Sequence, residues 1–473
     1  MGLLYERVAS NLESAISKGV YPIGSRLPSI RKTCEREKVS IATVIEAFAR
    51  LEERGLIEAR PKSGYFVRGQ STADAVPGTS RPPKRSNGVA VASLALKFCV
   101  VERFPGMVSL GTALPSSETL GIEAFARVFA RAARMHQGQT GTYETTEGAA
   151  PLRHVIAHML TDNGALVRED EVVITNGAQE ALSLALKATT RPGDIVAVES
   201  PTYFGVLQAL EGAELRALEL PTSPRHGVDL DALERVIENG RVRACILAPN
   251  FQNPLGFKMS DAAKERAVEV LARHQVPLIE DDVYGVLGIG NRRPRTAQSF
   301  DFSGNTIQCG SFSKTVSPAI RLGWMVPGRH IDEVLRHKFL ANISTAKIAQ
   351  LAMAEYLSGN KFRKTTQAAA RTYARRCELL RQTALCHFPE GTRVTAPAGG
   401  FVLWVEMPRG YDSMELFERA RKIGITFFPG RIFTASNNYA SCLRLSVGAI
   451  KEDDILDLME RLGGLARQIG QNG

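Results

Sequence analysis

Lys314 stands in the string Ser311-Phe312-Ser313-Lys314, directly after a short β-rich run, Thr306 to Cys309, with Arg321 a little further on. An amine flanked by hydroxyls and followed by a guanidinium suits a Schiff base to an aldehyde cofactor that also carries a phosphate. Alone, such a string is more often a surface lysine beside serines, so its neighbours decide. Glu280-Asp281-Asp282-Val283-Tyr284 ends an apolar run, Val276 to Glu280, with a carboxylate cluster. Burying that cluster is costly unless a cation pairs with it, and a protonated pyridine nitrogen is such a cation. Ala248-Pro249-Asn250-Phe251-Gln252-Asn253-Pro254 reads as a strand followed by a polar turn, and Asn176-Gly177-Ala178-Gln179 as a turn opening a helix. The free N–H groups of such a helix start bind phosphate well. Any one of these turns is more often structural than functional.

The elements that must carry these groups are legible from residue 104 onward. Helical patterns alternate with the β-rich runs Glu171 to Thr175, Asp194 to Glu199, Ala244 to Ala248, Val276 to Glu280, Thr306 to Cys309 and Leu322 to Val326. That alternation predicts a mostly parallel sheet covered on both faces. After about Leu357, long helical patterns lead into Gly400 to Glu406 and Leu443 to Val447, which predicts a second, smaller α/β domain.

The N-terminal 70 residues have a different character. The whole chain of 473 residues carries a formal +10. Residues 1 to 70 hold 12 basic and 8 acidic side chains, and the first 88 residues hold +6 of the total. A local surplus of this kind points to an acidic partner more strongly than a high isoelectric point does. Leu4, Val8, Leu12, Ala15 and Ile16 fall at helical spacing; Ser29 caps a second helix from Ile30 to about Glu37, and Ser40 a third from Ile41 to about Arg54. Two short helices joined by a tight turn are the helix-turn-helix layout. Leu56 to Arg60 and Tyr65 to Arg68 then form a hairpin around Pro61-Lys62-Ser63-Gly64. On the third helix, Val44, Phe48 and Leu51 repeat on the buried side, leaving Ser40, Ile41, Ala42, Ile45, Glu46, Ala49 and Arg50 outward. The plainer reading of this segment is a small helical adaptor with a solvated face.

Residues 70 to 88 are rich in Pro, Ser, Thr and Gly without any period and read as a flexible linker, with a span of roughly 25 Å for a coil of that length. The composition, 44% hydrophobic and 23% charged, excludes a disordered, collagen-like or small disulfide-stapled chain. Seven scattered cysteines without C-x-x-C or a histidine at ligand spacing read as reduced and mostly buried, with no metal site. No apolar run is long enough for a membrane span and no secretory leader is evident, so the expected location is the cytoplasm.

Gly24-Ser-Arg26-Leu27-Pro28-Ser29-Ile-Arg31, Val39-Ser40-x-x-Thr43-Val44 and Leu51-x-x-x-Gly55-Leu-Ile-x-x-Arg60-x-x-Ser63-Gly64-x-Phe66-Val67 together resemble the winged helix-turn-helix of GntR-family bacterial regulators. The resemblance implies that Arg31 and the wing tip Lys62, Ser63 and Gly64 meet operator DNA. Arg26 would lie beside them, and Ser29, Ser40, Ile41 and Thr43 would complete the DNA-facing set. One departure matters: relatives usually carry Arg where Ile41 stands, which removes a candidate bidentate contact to guanine.

From about Val108 to Leu462 the ordered motifs resemble class I/II aminotransferases of fold type I, the pyridoxal 5′-phosphate (PLP) enzymes, closest to the kynurenine/2-aminoadipate type. The resemblance implies Lys314 as the Schiff-base lysine and Asp281, three before Tyr284, as partner of the pyridine nitrogen. Asn253 and Tyr284 would donate to the phenolic oxygen, and Tyr203 in Pro201-Thr-Tyr203-Phe-Gly would stack on the ring. Ala178, Gln179, Ser311, Ser313 and Arg321 would form the phosphate cup. Tyr143 would reach the partner subunit's phosphate in a homodimer with shared sites. Arg444 in Leu443-Arg444-Leu-Ser, with Asn253, would take an effector carboxylate, a task suited to the planar guanidinium.

A GntR-like reader joined to an aminotransferase-like domain resembles the MocR branch of bacterial regulators. This implies a winged helix over 1–70, a linker over 71–103 and an effector domain over 104–473. Its fold would pair a large parallel-sheet domain with a smaller α/β one. The expected function is PLP-dependent transcriptional regulation in the bacterial cytoplasm, at the nucleoid when DNA-bound, with an amino-acid-like or amine effector sensed through Lys314. The rival expectations are a working aminotransferase that carries a DNA-binding domain, and a regulator that responds to PLP itself.

Overall fold

The structure, a computed structural model, describes residues 4–17, 20–21, 24–54, 56–60, 63–67, 75–101, 104, 106–288 and 293–470. Lys62, expected at the wing tip, lies outside the described residues.

The N-terminal unit is built from helices Leu4–Ser17, Ile30–Glu37 and Ile41–Glu53 and a hairpin of Ile57–Arg60 with Gly64–Val67. Both predicted caps form: Ser29 Oγ accepts from Lys32 N at 3.3 Å and Ser40 Oγ from Thr43 N at 3.2 Å. Each meets an N–H that the first helical turn leaves without a partner. Val8, Leu12, Leu27, Val44, Ala47, Phe48, Leu51, Ile57 and Val67 close one small core, with Phe48 edge-on to Tyr65 at 4.8 Å.

The large aminotransferase-like body is organised on a nine-stranded sheet. Its middle strands, Arg216–Ser223, Ile195–Ser200, Val242–Leu247, Leu278–Asp281 and Thr306–Ser311, run parallel in that spatial order. Gly323–Val326 and Val173–Thr175 then continue the sheet antiparallel. The sheet is therefore mixed, with the parallel run at its centre, where the strands are largely buried and mostly apolar. The smaller unit is a four-stranded antiparallel sheet of Arg393–Val394, Val402–Glu406, Cys442–Ser446 and Phe428–Pro429, packed by the 28-residue helix Asn360–His387 and by Ile455–Gly470.

The segment expected to be a free coil is, from Ala75 onward, laced onto the body. Val394 N donates to Ala75 O at 2.7 Å, Ser80 N to Thr222 O at 3.1 Å, and Asn87–Gly88 adds an antiparallel strand to Arg216–Ser223. Ala92–Val101 is a helix whose Ala95 and Phe98 enter the main core. Its Ser, Pro and Gly are therefore those of an edge-hugging strap, whose backbone is satisfied by the sheet rather than by water. None of the seven cysteines forms a disulfide; Cys245, Cys309, Cys377 and Cys442 are buried, Cys34 and Cys99 half-buried, and Cys386 is exposed. Among the described residues no helix is long and apolar enough to cross a membrane.

Candidate functional site

The carboxyl ends of the parallel strands open onto a cavity of about 340 Å³. This is where open α/β sheets bind ligands, because helix N-termini and loop backbone converge there. Lys314, Asp281, Tyr284, Asn253, Tyr203, Ala178, Gln179, Ser311, Ser313, Arg321 and Arg444 all line it.

Lys314 follows Thr306–Ser311 and directs its Nζ to the carbonyl of Ala113 at 2.6 Å. Burial, and then the positive charges of Arg444 and Arg321, pull its amine down to about 8, so a substantial neutral fraction exists near neutral pH. Asp281 ends the neighbouring strand. Burial pushes its carboxyl up to about 6, while the N–H of Val283, donating to Oδ1 at 3.3 Å, holds it back. It is mostly ionised at pH 7.

Asp282, next in sequence, points the other way. It is 3% exposed and accepts from Gln308 Nε2 at 3.1 Å and from Arg293, with which it forms a buried ion pair. The two carboxylates thus divide between the cavity and the scaffold, because successive side chains of a strand face opposite sides.

Tyr284 is buried edge-on to Phe401 at 5.3 Å, and its hydroxyl has no hydrogen-bond partner. A buried O–H of that kind costs free energy unless something in the cavity accepts from it. Tyr203 also lines the cavity, its phenol pushed up to about 12 by burial. A Cβ on Gly205 would collide with its ring, so only glycine permits this placement.

The helix Ala178–Thr189 starts at the cavity after Gly177, whose φ of 83° few other residues adopt. Arg321 Nη1 donates to Ser313 Oγ at 3.2 Å, and Ser313 N to Ser311 Oγ at 3.1 Å, so the hydroxyls and guanidinium form one cluster beside that helix start. Gln179 turns its amide away, to Gly205 O at 2.7 Å.

Arg444 enters from the four-stranded sheet. It is 1% exposed, donates to Asn253 Oδ1 at 3.1 Å and to Gly111 O, and lies over the rings of Phe428 and Phe433 at 4.9 and 5.1 Å. Tyr143 is the exception among the expected residues: it is 80% exposed and does not line the cavity of its own chain.

Sequence reasoning missed several lining groups. The Ala113 carbonyl is main chain and leaves no side-chain signal, and the same holds for the approach of Thr112 and Leu114. Glu199, 2% exposed and pushed up to about 8 by burial, accepts from Ala248 N at 3.2 Å. A carboxylate closing the apolar run Ile195–Ser200 was its available signal.

In the N-terminal unit, Arg26 and Arg31 are exposed and have no ion pair among the described residues. Arg26 lies across the backbone of Gly64, its Nε 3.1 Å from where a Cβ would stand, which ties the wing to the start of the second helix. Ser40 and Thr43 are joined through their hydroxyls at 2.8 Å, and Ile41 is 58% exposed.

A winged helix-turn-helix followed by a fold-type I body with a lysine, a carboxylate and a cluster of hydroxyls and a guanidinium around one cavity defines a regulator with an aminotransferase-like domain. The family profile "Aminotransferase class I and II" matches residues 107–462 and "Bacterial regulatory proteins, gntR family" residues 4–67. The chain belongs to the aminotransferase class I and II family and carries a GntR-type DNA-binding domain, the MocR arrangement.

Among its relatives are two Escherichia coli K12 proteins, the HTH-type transcriptional regulators YjiR and YdcR. YjiR is 33% identical over 97% of this chain and 98% of its own length, and YdcR is 34% identical over 93% and 94%. The 2-aminoadipate transaminase of Thermus thermophilus is 32% identical over 79% of this chain and 93% of its own. Of solved structures, α-aminoadipate aminotransferase LysN of Thermus thermophilus, complexed with N-(5′-phosphopyridoxyl)-L-leucine, superposes with a TM-score of 0.74 at 30% identity. That match covers 81% of this chain and 96% of LysN.

The family implies PLP as cofactor. The cavity suits it: an amine of lowered basicity, an ionised carboxylate, an unpartnered phenol hydroxyl and a helix start beside a guanidinium are the groups that its aldehyde, ring nitrogen, phenolic oxygen and phosphate each require.

Proposed function

We propose that this chain is a PLP-dependent transcriptional regulator that senses an amino-acid-like or amine effector in the cavity. PLP supplies an electrophilic carbon and an electron sink. Lys314 would hold its aldehyde carbon, Asp281 the ring nitrogen, Tyr284 and Asn253 the phenolic oxygen, and Tyr203 one ring face. Ala178, Gln179, Ser311, Ser313 and Arg321 would bind the phosphate, Gln179 through its backbone N–H.

The observation that carries the effector reading is Arg444. A buried guanidinium that lines the same cavity as the Lys314 amine, with Asn253 and Gly111 holding it in place, suits a ligand carboxylate. An effector that engaged both groups would displace Lys314 from the cofactor and draw Arg444 off Asn253. The smaller sheet would shift, and its strap would carry the change toward the DNA-binding domain. Coupling requires the effector to bind the two arrangements with different affinity.

The exposed Tyr143 supports a homodimer in which each chain completes its partner's phosphate site. Operator DNA would meet Arg26, Ser29, Arg31, Ser40, Ile41, Thr43, Lys62, Ser63 and Gly64.

The test is a spectral titration of the purified protein with the twenty amino acids and common amines, followed by effector-dependent DNA binding. Lys314→Ala abolishes both the near-visible band and the effector response; if both survive, the reading fails. Steady turnover of an amino donor and a 2-oxo acid at about 1 per second or more would favour an enzyme instead, for which the lowered Lys314 amine is a competent base. Operator binding that responds to PLP without an amine would make PLP the signal.

A further inference from the structure

The third helix of the N-terminal unit carries little polar reading capacity where it would enter the major groove. Its outward face begins with Ile41, 58% exposed, and continues one turn later with Ile45, 47% exposed, with the exposed Ala42 between them. Both isoleucines stand outside the small core, which is closed by the opposite face of the helix.

The polar groups of the same helix are committed elsewhere. Ser40 and Thr43 pair with each other in the cap. Arg50 is shared between Glu46 at 3.5 Å and Glu53 at 3.3 Å and lies over the Tyr5 ring at 5.8 Å. Arg26 and Arg31, which have no ion pair among the described residues, stand outside this helix, where they suit phosphates rather than base edges.

We infer that Ile41 and Ile45 read thymine C5-methyl groups, so that the half-site beneath this helix is specified by apolar contact rather than by hydrogen bonds. The thymine methyl is the one apolar feature of the major-groove floor, and aliphatic side chains are its complement. Two branched side chains one helical turn apart face neighbouring base pairs, so the contact selects adjacent or near-adjacent thymines. Ala42 between them is small enough to let the backbone approach. This inference rests on the DNA-binding role of the N-terminal domain.

The test starts from duplexes selected by the full-length protein from a random-sequence pool. In the tightest of them, each thymine is replaced in turn by uracil, which removes only the methyl. Uracil at the contacted positions weakens binding about fourfold per methyl, the loss expected for one buried methyl-sized group, with the salt dependence unchanged. Ile41→Ala and Ile45→Ala each erase the penalty at one position. Ile41→Arg transfers the preference at its position to guanine.

Equal affinity for thymine and uracil duplexes at every position overturns the inference while leaving DNA binding intact. Alanine variants that keep the thymine preference but change the oligomeric state assign the apolar face to a protein contact and also overturn it. Failure to select any duplex would instead strike the DNA-binding role itself. Because both side chains are exposed, the alanine variants should fold, which circular dichroism verifies.

Discussion

Nη1 of Arg444 donates to Oδ1 of Asn253 across 3.1 Å, joining the four-stranded sheet to the turn that follows strand Val242–Leu247 of the large sheet. The contact is a latch between two sheets and, in the proposed function, half of a carboxylate site. Arg444→Lys should therefore lose more than a charge-conserving change ordinarily does, since an ammonium cannot bridge Asn253, Gly111 and a ligand in one plane. The expected outcome is a loss of effector affinity of about tenfold to a hundredfold, equivalent to roughly 1.5–3 kcal/mol for a hydrogen bond to a charged group. PLP uptake stays near the parent value. Spectral titration of parent and variant with the same amino acid checks it.

The Lys314 amine, pulled down to about 8 by burial and two neighbouring guanidinium groups, should make cofactor capture pH-dependent if it is the capturing group. Only the neutral amine attacks an aldehyde. The capture rate by cofactor-free protein should rise about tenfold per unit below pH 8 and level off above it. Stopped-flow absorbance between pH 6.5 and 9.5 would show the break; a break near pH 10 would mean a solvated lysine.

Asp281 and Asp282 should separate cleanly. Asp281→Asn leaves the melting temperature nearly unchanged but weakens PLP retention at least tenfold. Asp282→Ala strands the buried Arg293 guanidinium and should cost about 3–5 kcal/mol of stability. Thermal denaturation of both variants without cofactor distinguishes the two positions.

Arg31→Ala should weaken DNA binding and lower the slope of log affinity against log salt by about 0.9, the contribution of one neutralised phosphate. An unchanged slope would make Arg31 a structural residue.

The fold was legible where local chemistry and long-range order agreed. Ser29 and Ser40 announce their helices because a hydroxyl before an apolar-periodic run is itself the capping group. Asp281 and Lys314 could be found because their charges stand at or just past the end of a strand, whereas Arg444, inside Cys442–Ser446, was legible only through the motif Leu443-Arg444-Leu-Ser. What stayed hidden was mostly main chain. The Ala113 carbonyl that receives Lys314 has no side-chain signature, and strand Arg216–Ser223 was obscured by Pro221 and by Glu219, a carboxylate that is buried with Ser200 and Thr434 as donors. The strap failed for the same reason: its Ser, Pro and Gly composition describes a coil in isolation and an edge partner when a sheet lies beside it.

That strap is moored at two unlike points. Ala75, toward the DNA-binding domain, is hydrogen-bonded to the small sheet at Val394, whereas Ser80 and Asn87 are fastened to the large one. A turn of the small sheet about the large one would thus work like a capstan. In the proposed function the six residues from 75 to 80 would span the pivot, so the first thing to be hauled would be the line leading to the DNA reader, not the cavity wall that received the effector.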